Sequence, residues 1–368
     1  MIRPRSLILI LSLLVVTGIL FDAAIEVGPA PAPLSEQESA TERINTIRAA
    51  FQSNAKPVEI ADPRLVRFFD CISQAADTKN PFSAIDSFDL DRLHTEVRAA
   101  HVLPRPDREV DDPDGLKKLY AGVWKAFENR WLGQGWQSTE IRHVETLLGG
   151  QEFIVYTRHR TANGVRPLRW WFTQRNQELF AFDVEDCRVG MRLSYQLAPL
   201  FALQANEADH AAIQKGLTAI NEASLALAGR EPTLADQLLR PARAAPFPNA
   251  AKAMLYLTEA AIALGNNAPA DALLWTTQTD VVRPGIPGTD LLRSVAHFRL
   301  KHWTEAVTAS RRYVDLLGPD PQASYVLSAS LLELGKRDEA IVVSETARRD
   351  YPNDAGLSDL SKRLSSQK

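Results

Sequence analysis

A spacing of 34 residues in the C-terminal half constrains this chain more than any other feature. Ala272, Ala306 and Ala340 recur at that interval, each early in a segment with a helical pattern. An alanine at a fixed period is typical of a point where two helices cross closely. The period therefore predicts stacked helix pairs, each of which buries its apolar face on its neighbours.

The last copy of the period runs from Ala323 to Asp354. A leucine and a glycine form its turn, two acids and the alanine open its second helix, and a proline ends it. The residues concerned are Leu327, Leu334, Gly335, Asp338, Glu339, Ala340, Ile341, Ala347 and Pro352. With these residues at this spacing, the unit closely resembles a tetratricopeptide repeat (TPR), a helix-turn-helix unit of about 34 residues.

Weaker copies precede this unit. One period earlier Trp303 and Ala306 match, and Lys301 replaces the turn glycine. The next copy back starts near Ala251 and has two extra residues in its turn, and a divergent first copy contains Ala235. We therefore predict an all-α, TPR-like solenoid over residues 208–364, with three fair repeats and one divergent repeat. This number meets the minimum of about three units for a stable stack.

The resemblance implies a function in protein binding, because the first helices of such repeats line an inner groove that typically holds a peptide or a partner domain. The basic and amide clamp with which some family members grip a C-terminal carboxylate is not matched. The alternative is a spacer with an ordinary solvated surface. The implied groove positions are Lys252, Leu255, Glu259, Phe298, Arg299, Tyr325 and Glu333.

An apolar run near the N-terminus predicts a membrane anchor in residues 1–27. Residues 6–21 would form a helix of roughly 24 Å, slightly short of the roughly 20 residues that span a bilayer. Arginines precede the run and acids follow it, so the positive-inside rule predicts a single-pass protein with a cytoplasmic N-terminus. The bulk of the chain is then extracytoplasmic, which means periplasmic in a bacterium.

A cleaved signal peptide is the alternative to this anchor, since it has the same charged start and apolar middle. The small residues Ala30 and Ala32 are followed by Pro33, which is a poor cleavage geometry, so we favour the anchor. Residues 28–43 begin with alternating proline and are predicted to form a stiff linker, because proline fixes φ.

Export leaves two interpretations of Cys71 and Cys187 open. They form a disulfide, worth roughly 4 to 5 kcal/mol in the chain-entropy model, or they are two buried thiols. No metal or other cofactor is predicted, because the cysteines and the seven histidines have no ligand spacing. A net charge of -3 with mixed signs also argues against nucleic acid, which usually requires a clustered basic face.

Residues 44–200 are predicted to form an α+β domain, with helices before an antiparallel meander sheet. Asp112 and Pro113 open a helix with a broad apolar stripe that extends to Trp131. Four strands follow, and Asn163-Gly164 predicts a tight hairpin between the second and the third. The predicted strands are Glu140 to Leu147, Phe153 to Thr161, Val165 to Thr173 and Leu179 to Val184.

This order of elements weakly resembles the cone-shaped nuclear-transport-factor-2-like domains, many of which carry a pocket between sheet and helices. A pocket of that kind would allow a small-ligand or enzymatic function. His143 and His159, with Asp183 or Glu185, would form an acid-base pair if they converged there.

A histidine near a strand end is more often a surface or hydrogen-bonded structural group than a catalytic one. We therefore favour structural roles for these histidines and predict that the protein is not an enzyme. The cluster of Arg158, His159, Arg160 and Arg169 is expected to be a solvated face rather than an anion site. Trp170 and Trp171 point to opposite faces, so one ring is expected in the core and the other in a contact. The chain is predicted to be a multi-domain membrane-anchored scaffold or assembly adaptor that binds a protein partner.

Overall fold

The computed structural model describes residues 62–78, 86–101, 136–147, 150–161, 164–188, 190–195 and 207–366. The predicted anchor, the linker and the helix predicted from Asp112 lie outside these ranges. No helix within them is long and apolar enough to cross a membrane.

The middle of the chain forms an antiparallel sheet in the order β1-β2-β3-β4-β5. The four predicted strands are confirmed, with longer bounds, and a short fifth strand follows them. Thr161 pairs with Gly164, which places the tight connection between β2 and β3 at the predicted hairpin. The strands are β1 (Trp136–Leu147), β2 (Glu152–Thr161), β3 (Gly164–Arg175), β4 (Glu178–Asp186) and β5 (Met191–Arg192).

Two helices, α1 (Pro63–Thr78) and α2 (Leu90–His101), lie before the sheet in the chain, and an aromatic core joins α1 to one sheet face. The rings of Phe68 and Phe69 lie 5.7 and 5.6 Å from that of Trp170 in edge-on geometry. Trp170 is completely buried. Large aromatic surfaces in such contacts dominate core energetics.

A long run of helices fills residues 207–366 and confirms the helical C-terminal half. Most of them form consecutive antiparallel pairs, and a single helix follows the last pair. The helices are α3 (Glu207–Ala228), α4 (Pro232–Leu238), α5 (Arg240–Ala244), α6 (Asn249–Gly265), α7 (Pro269–Val282), α8 (Pro287–Arg299), α9 (Trp303–Leu317), α10 (Pro321–Glu333), α11 (Arg337–Asp350) and α12 (Ala355–Ser366).

The turns inside four helix pairs share one geometry. Arg230, Asn267, Lys301 and Gly335 each have a left-handed φ between +57° and +73°, and the last three keep the interval of 34 residues. The following N–H bonds a carbonyl five residues back in every turn, as in His302 to the residue 297 carbonyl. This pattern is the Schellman cap, so the period seen in the sequence is a repeat of backbone structure.

The three periodic alanines lie where the period predicts them. Ala272, Ala306 and Ala340 are completely buried, and each lies in the first turn of the second helix of its pair. The prediction that these positions are buried is confirmed.

The second face of the sheet packs on the helical array, and the two share one continuous core. Ile154 and Trp171 of the sheet belong to the same apolar cluster as Leu257, Ile286 and many other array residues. The backbone of the array comes close to that of the sheet segment at Gly288, the second residue of α8. A Cβ at this position would lie 2.3 Å from the carbonyl oxygen of Arg188. Only glycine fits there, because backbone cannot yield as a flexible side chain does.

Candidate functional site

Three of the seven predicted groove residues are buried in the helical array. Leu255, Glu259 and Phe298 are 8, 5 and 6 % exposed. Glu259 forms a two-point ion pair with Arg243 of α5, with N–O distances of 2.5 and 2.8 Å. The expectation that these side chains line an open groove is therefore wrong, because they face neighbouring helices of the array.

The remaining four positions are at least partly exposed. Lys252, Arg299 and Tyr325 are half-buried and Glu333 is exposed. The ring of Tyr325 lies 6.3 Å from that of Phe298, which anchors it by its apolar side.

Arg299 has a structural bond as well as an exposed part. Its guanidinium donates to the carbonyl of Leu264 near the C-terminus of α6, a carbonyl that also accepts the N–H of Asn267 in the turn. Replacing Arg299 would therefore weaken α6. Tyr325 and Glu333 are the cleaner probes of this surface.

Buried arginine and carboxylate pairs hold the sheet against the array. Glu185 of β4 is fully buried and accepts hydrogen bonds from Arg169, at 2.8 Å, and from Arg283, beyond the end of α7. Burial alone raises the pKa of Glu185, but the charges of Arg169 and Arg283 outweigh that effect and lower it. Arg169 also donates to the carbonyl of Gly285, in the loop that leads to α8.

A second set of pairs joins the sheet to the later helices. Arg158 donates to Asp350 and to the carbonyl of Pro319, both at 3.0 Å, and Arg160 donates to Asp350 at 2.6 Å. Burial raises the pKa of Asp350, but its hydrogen bond from Arg160 and the charge of Arg158 lower it overall. We call the contacts of Arg158, Arg169, Arg188 and Arg283 with the facing half the arginine junction.

The arginine junction corrects the expectation of a solvated face, because Arg158 and Arg169 are 3 and 6 % exposed. Arg188 completes it with an ion pair to Asp320 at 3.2 Å. Asp320 is also the N-cap of α10, where it accepts from two backbone N–H groups.

The space enclosed beside this pair is small. The cavity between sheet and array measures about 10 Å³, and Tyr313 and Arg188 are among the residues that line it. Within the part of the chain that the structure describes, the Tyr313 hydroxyl and Arg188 Nε have no hydrogen-bond partner. A space of this size holds about one water molecule.

The two histidines of the catalytic hypothesis do not converge. His143 is exposed and its ring lies 5.7 Å from that of Tyr156. His159 lies on the opposite face, fully buried, 2.7 Å from the Thr157 hydroxyl and 3.1 Å from that of Thr139. Burial lowers the pKa of His159 well below its usual value.

The two carboxylates of that hypothesis also have other roles. Asp183 accepts from Arg192 and from Ser194, while Glu185 belongs to the arginine junction. The proposed acid-base pair is therefore not formed. Among the described residues, no group of three His, Cys, Asp or Glu side chains is arranged to hold a metal ion.

The cysteines do not form a disulfide. Cys71 lies on α1, with Sγ 3.4 Å from the Ser87 hydroxyl. Cys187 is buried in the core between sheet and array, on the other side of the sheet, and burial raises the pKa of its thiol. The sheet separates the two sulfur atoms.

Comparison with known proteins adds no relative, since no family model, curated protein or solved structure matches this chain. Its function must be inferred from its own residues.

Proposed function

We propose that this chain is a non-enzymatic scaffold or assembly adaptor whose TPR-like array binds a protein or peptide. The observation that carries the proposal is the repeated turn geometry at Asn267, Lys301 and Gly335. Helix pairs in fixed register present the same face of each first helix to one side. Stacks of this kind provide extended binding surfaces.

The position of the sheet supports this assignment. The arginine junction contacts the loops between helix pairs, at Gly285 and Pro319, and leaves Lys252, Tyr325 and Glu333 partly or fully exposed. A tyrosine with a buried edge and an exposed edge is a favoured contact residue in protein interfaces. A partner would therefore bind these first-helix positions while the sheet stays in place.

The proposal includes the predicted membrane anchor and extracytoplasmic location. An anchor before a short linker would hold the sheet and array near the membrane surface, where an assembly factor acts on other membrane or exported proteins. The α+β middle part, whose order of elements resembles the nuclear-transport-factor-2-like domains, then serves as a rigid base for the array.

A small-ligand function for the middle part has less support. On the face of the sheet that meets the array, the cavity at the junction measures about 10 Å³, whereas ligand pockets usually measure about 300–1,000 Å³. His143 and His159 lie on opposite faces of the sheet. We therefore favour the scaffold over the ligand binder.

The test is a pull-down from detergent-solubilised membranes with two matched variants. Tyr325→Ala with Glu333→Lys changes the first-helix surface, and Glu305→Lys with Thr308→Ala makes the same charge change on the exposed side of α9. We expect wild type and the α9 variant to capture the same partner, and the first-helix variant to lose it. Equal capture by both variants would reject this surface as the binding site.

A further inference from the structure

The outward side of α7 has an apolar seam that the rest of the array lacks. Leu274 and Val281 are 66 and 73 % exposed, the two highest values among the large apolar side chains of the described residues. Ala270 and Thr277 are exposed on the same side. We call these four residues the α7 seam.

The α7 seam is not required by the repeat itself. The opposite side of α7 already packs into the array through Ala272, Thr276 and Thr279. At the seam positions, one and two periods later, the side chains are mostly charged or polar. The equivalent residues are Thr304, Thr308, Arg311 and Asp315 in α9, and Asp338, Val342, Glu345 and Arg349 in α11.

The spacing within the seam is that of a helix-helix contact. The four residues follow one another at intervals of four, three and four, the alternation of the a and d positions of a coiled coil. A helix with this spacing keeps one stripe facing a partner helix over its whole length. The natural partner is therefore another helix with an uncharged seam of the same period.

We propose that the α7 seam pairs with the α7 seam of a second copy of this chain, in antiparallel orientation. Each layer then sets a large side chain against a small one: Leu274 faces Thr277 of the other copy, and Val281 faces Ala270. Alternating large and small side chains allow facing layers to interdigitate. Antiparallel helices also set each helix dipole against its opposite.

The charges beside the seam are compatible with this pairing. In antiparallel register Asp271 faces Gln278 of the other copy, and Asp280 faces Leu273, so no two acids oppose each other. Asp280 is also neutralised within its own chain by Arg293, at 2.5 Å. A partner helix chosen by charge would need a complementary basic stripe, whereas the uncharged seam favours its own copy.

The expected interface is small. One helix of three to four turns buries less than the roughly 800 Å² per partner of a standard interface. We therefore expect a dissociation constant in about the micromolar range. The association goes beyond the proposed scaffold function and does not depend on it.

Cysteine pairing in the purified full chain in detergent tests the register. Chains with Leu274→Cys are mixed with tagged chains with Thr277→Cys and oxidised. The matched control mixes Thr308→Cys with Arg311→Cys, the same two positions on α9. We expect a mixed disulfide only for the α7 pair, and cross-linking of both pairs or of neither would overturn the proposal.

Sedimentation of the same full chain tests the association without cysteines. Wild type should self-associate as its concentration rises, and Leu274→Glu with Val281→Glu should weaken association by more than about tenfold. The control Thr308→Glu should leave it unchanged. A wild type that stays monomeric to about 100 µM, or an association that the α7 change does not affect, would show that the seam is not a dimer interface.

Discussion

Trp170 and Trp171 are neighbours in β3 and lie on opposite faces of the sheet. Trp170 is surrounded by phenylalanine rings, with that of Phe68 at 5.7 Å. Trp171 lies between two guanidinium groups, those of Arg169 at 4.9 Å and Arg192 at 4.0 Å. Both rings are buried, but one face of the sheet is closed by apolar packing, whereas the other combines an apolar core with buried ion pairs.

The two faces of the sheet contribute differently to the fold. Apolar burial stabilises in proportion to area, at roughly 25 cal/mol per Å². Buried ion pairs lose in desolvation much of what they gain in attraction, so they add little net stability, yet breaking one is costly. We infer that the aromatic face supplies stability and that the arginine junction fixes where the array docks.

Removal of the Trp170 ring should have the largest effect. Trp170→Ala should lower the free energy of unfolding by about 3 to 5 kcal/mol, because the cavity is closed on all sides. Trp171→Ala should cost less, since the arginine side chains beside it are able to move into the space. Urea denaturation measures both, and a larger loss for Trp171 would contradict the comparison.

Removal of Glu185, at the centre of the arginine junction, should cause the next largest loss of stability. Glu185→Ala leaves Arg169 and Arg283 buried without their carboxylate and should cost about 3 kcal/mol. The triple variant Arg169→Met, Glu185→Leu and Arg283→Met removes these three charges together and should stay within about 1 kcal/mol of wild type. If the triple variant loses as much as Glu185→Ala, the pairs themselves stabilise the fold.

Overpacking a helix crossing should have an intermediate effect. Ala340 is completely buried, so Ala340→Leu should cost about 1 to 3 kcal/mol. Ala270→Leu, on the exposed side of α7, is the control and should change the melting transition little. Equal effects at both sites would show that burial is not the reason why alanine occupies the periodic positions.

The buried histidine predicts a loss of stability in acid. The pKa of His159 is lowered by burial from about 6.5 in the unfolded chain, so the unfolded state binds the proton first. Stability should therefore fall as the pH drops through about 6.5, the pKa of a histidine in the unfolded chain. His159→Gln should remove this part of the pH dependence, and an unchanged slope in that variant would assign it to other groups.

The smallest expected change is an increase in the free energy of unfolding, from a substitution in the turn of the third helix pair. Lys301 has a φ of +60°, where an L side chain costs about 1 kcal/mol. Lys301→Gly should therefore raise the free energy of unfolding by about that amount, while Gly335→Ala should lower it. Calorimetry measures both, and destabilisation by Lys301→Gly would show that the lysine side chain compensates the strain.

The local parts of the fold were predictable. The strands follow from alternation over a few residues, and the hairpin follows from Asn163-Gly164. The helix pairs follow from the recurrence of Ala272, Ala306 and Ala340. In each case the signal and the structure lie within one element or one period of the sequence.

The arginine junction was not predictable in the same way. Arg158 and Asp350 are 192 residues apart, and Arg283 and Glu185 are 98 apart. Nothing in a single strand shows that a second layer covers it. The sequence signal was an arginine beside apolar neighbours on each of two strands. This pattern is as compatible with a buried ion pair as with a solvated face.

The prediction of exposed groove residues was partly wrong for a related reason. The period places Leu255 and Glu259 on a first helix, but the irregular α5 supplies Arg243, which has no counterpart in the repeat. An irregular element thus occupies part of the surface that the repeat alone would leave open.

Hydrogen exchange of the full chain tests most directly whether the sheet and the array form one cooperative unit. In wild type, amides of β3 and of α8 should exchange with the same free energy. In Gly288→Ala, where the added Cβ meets the Arg188 carbonyl at 2.3 Å, β3 should open first, while the control Gly356→Ala at the start of α12 should behave as wild type. Different exchange free energies for β3 and α8 in wild type would contradict a single docked unit.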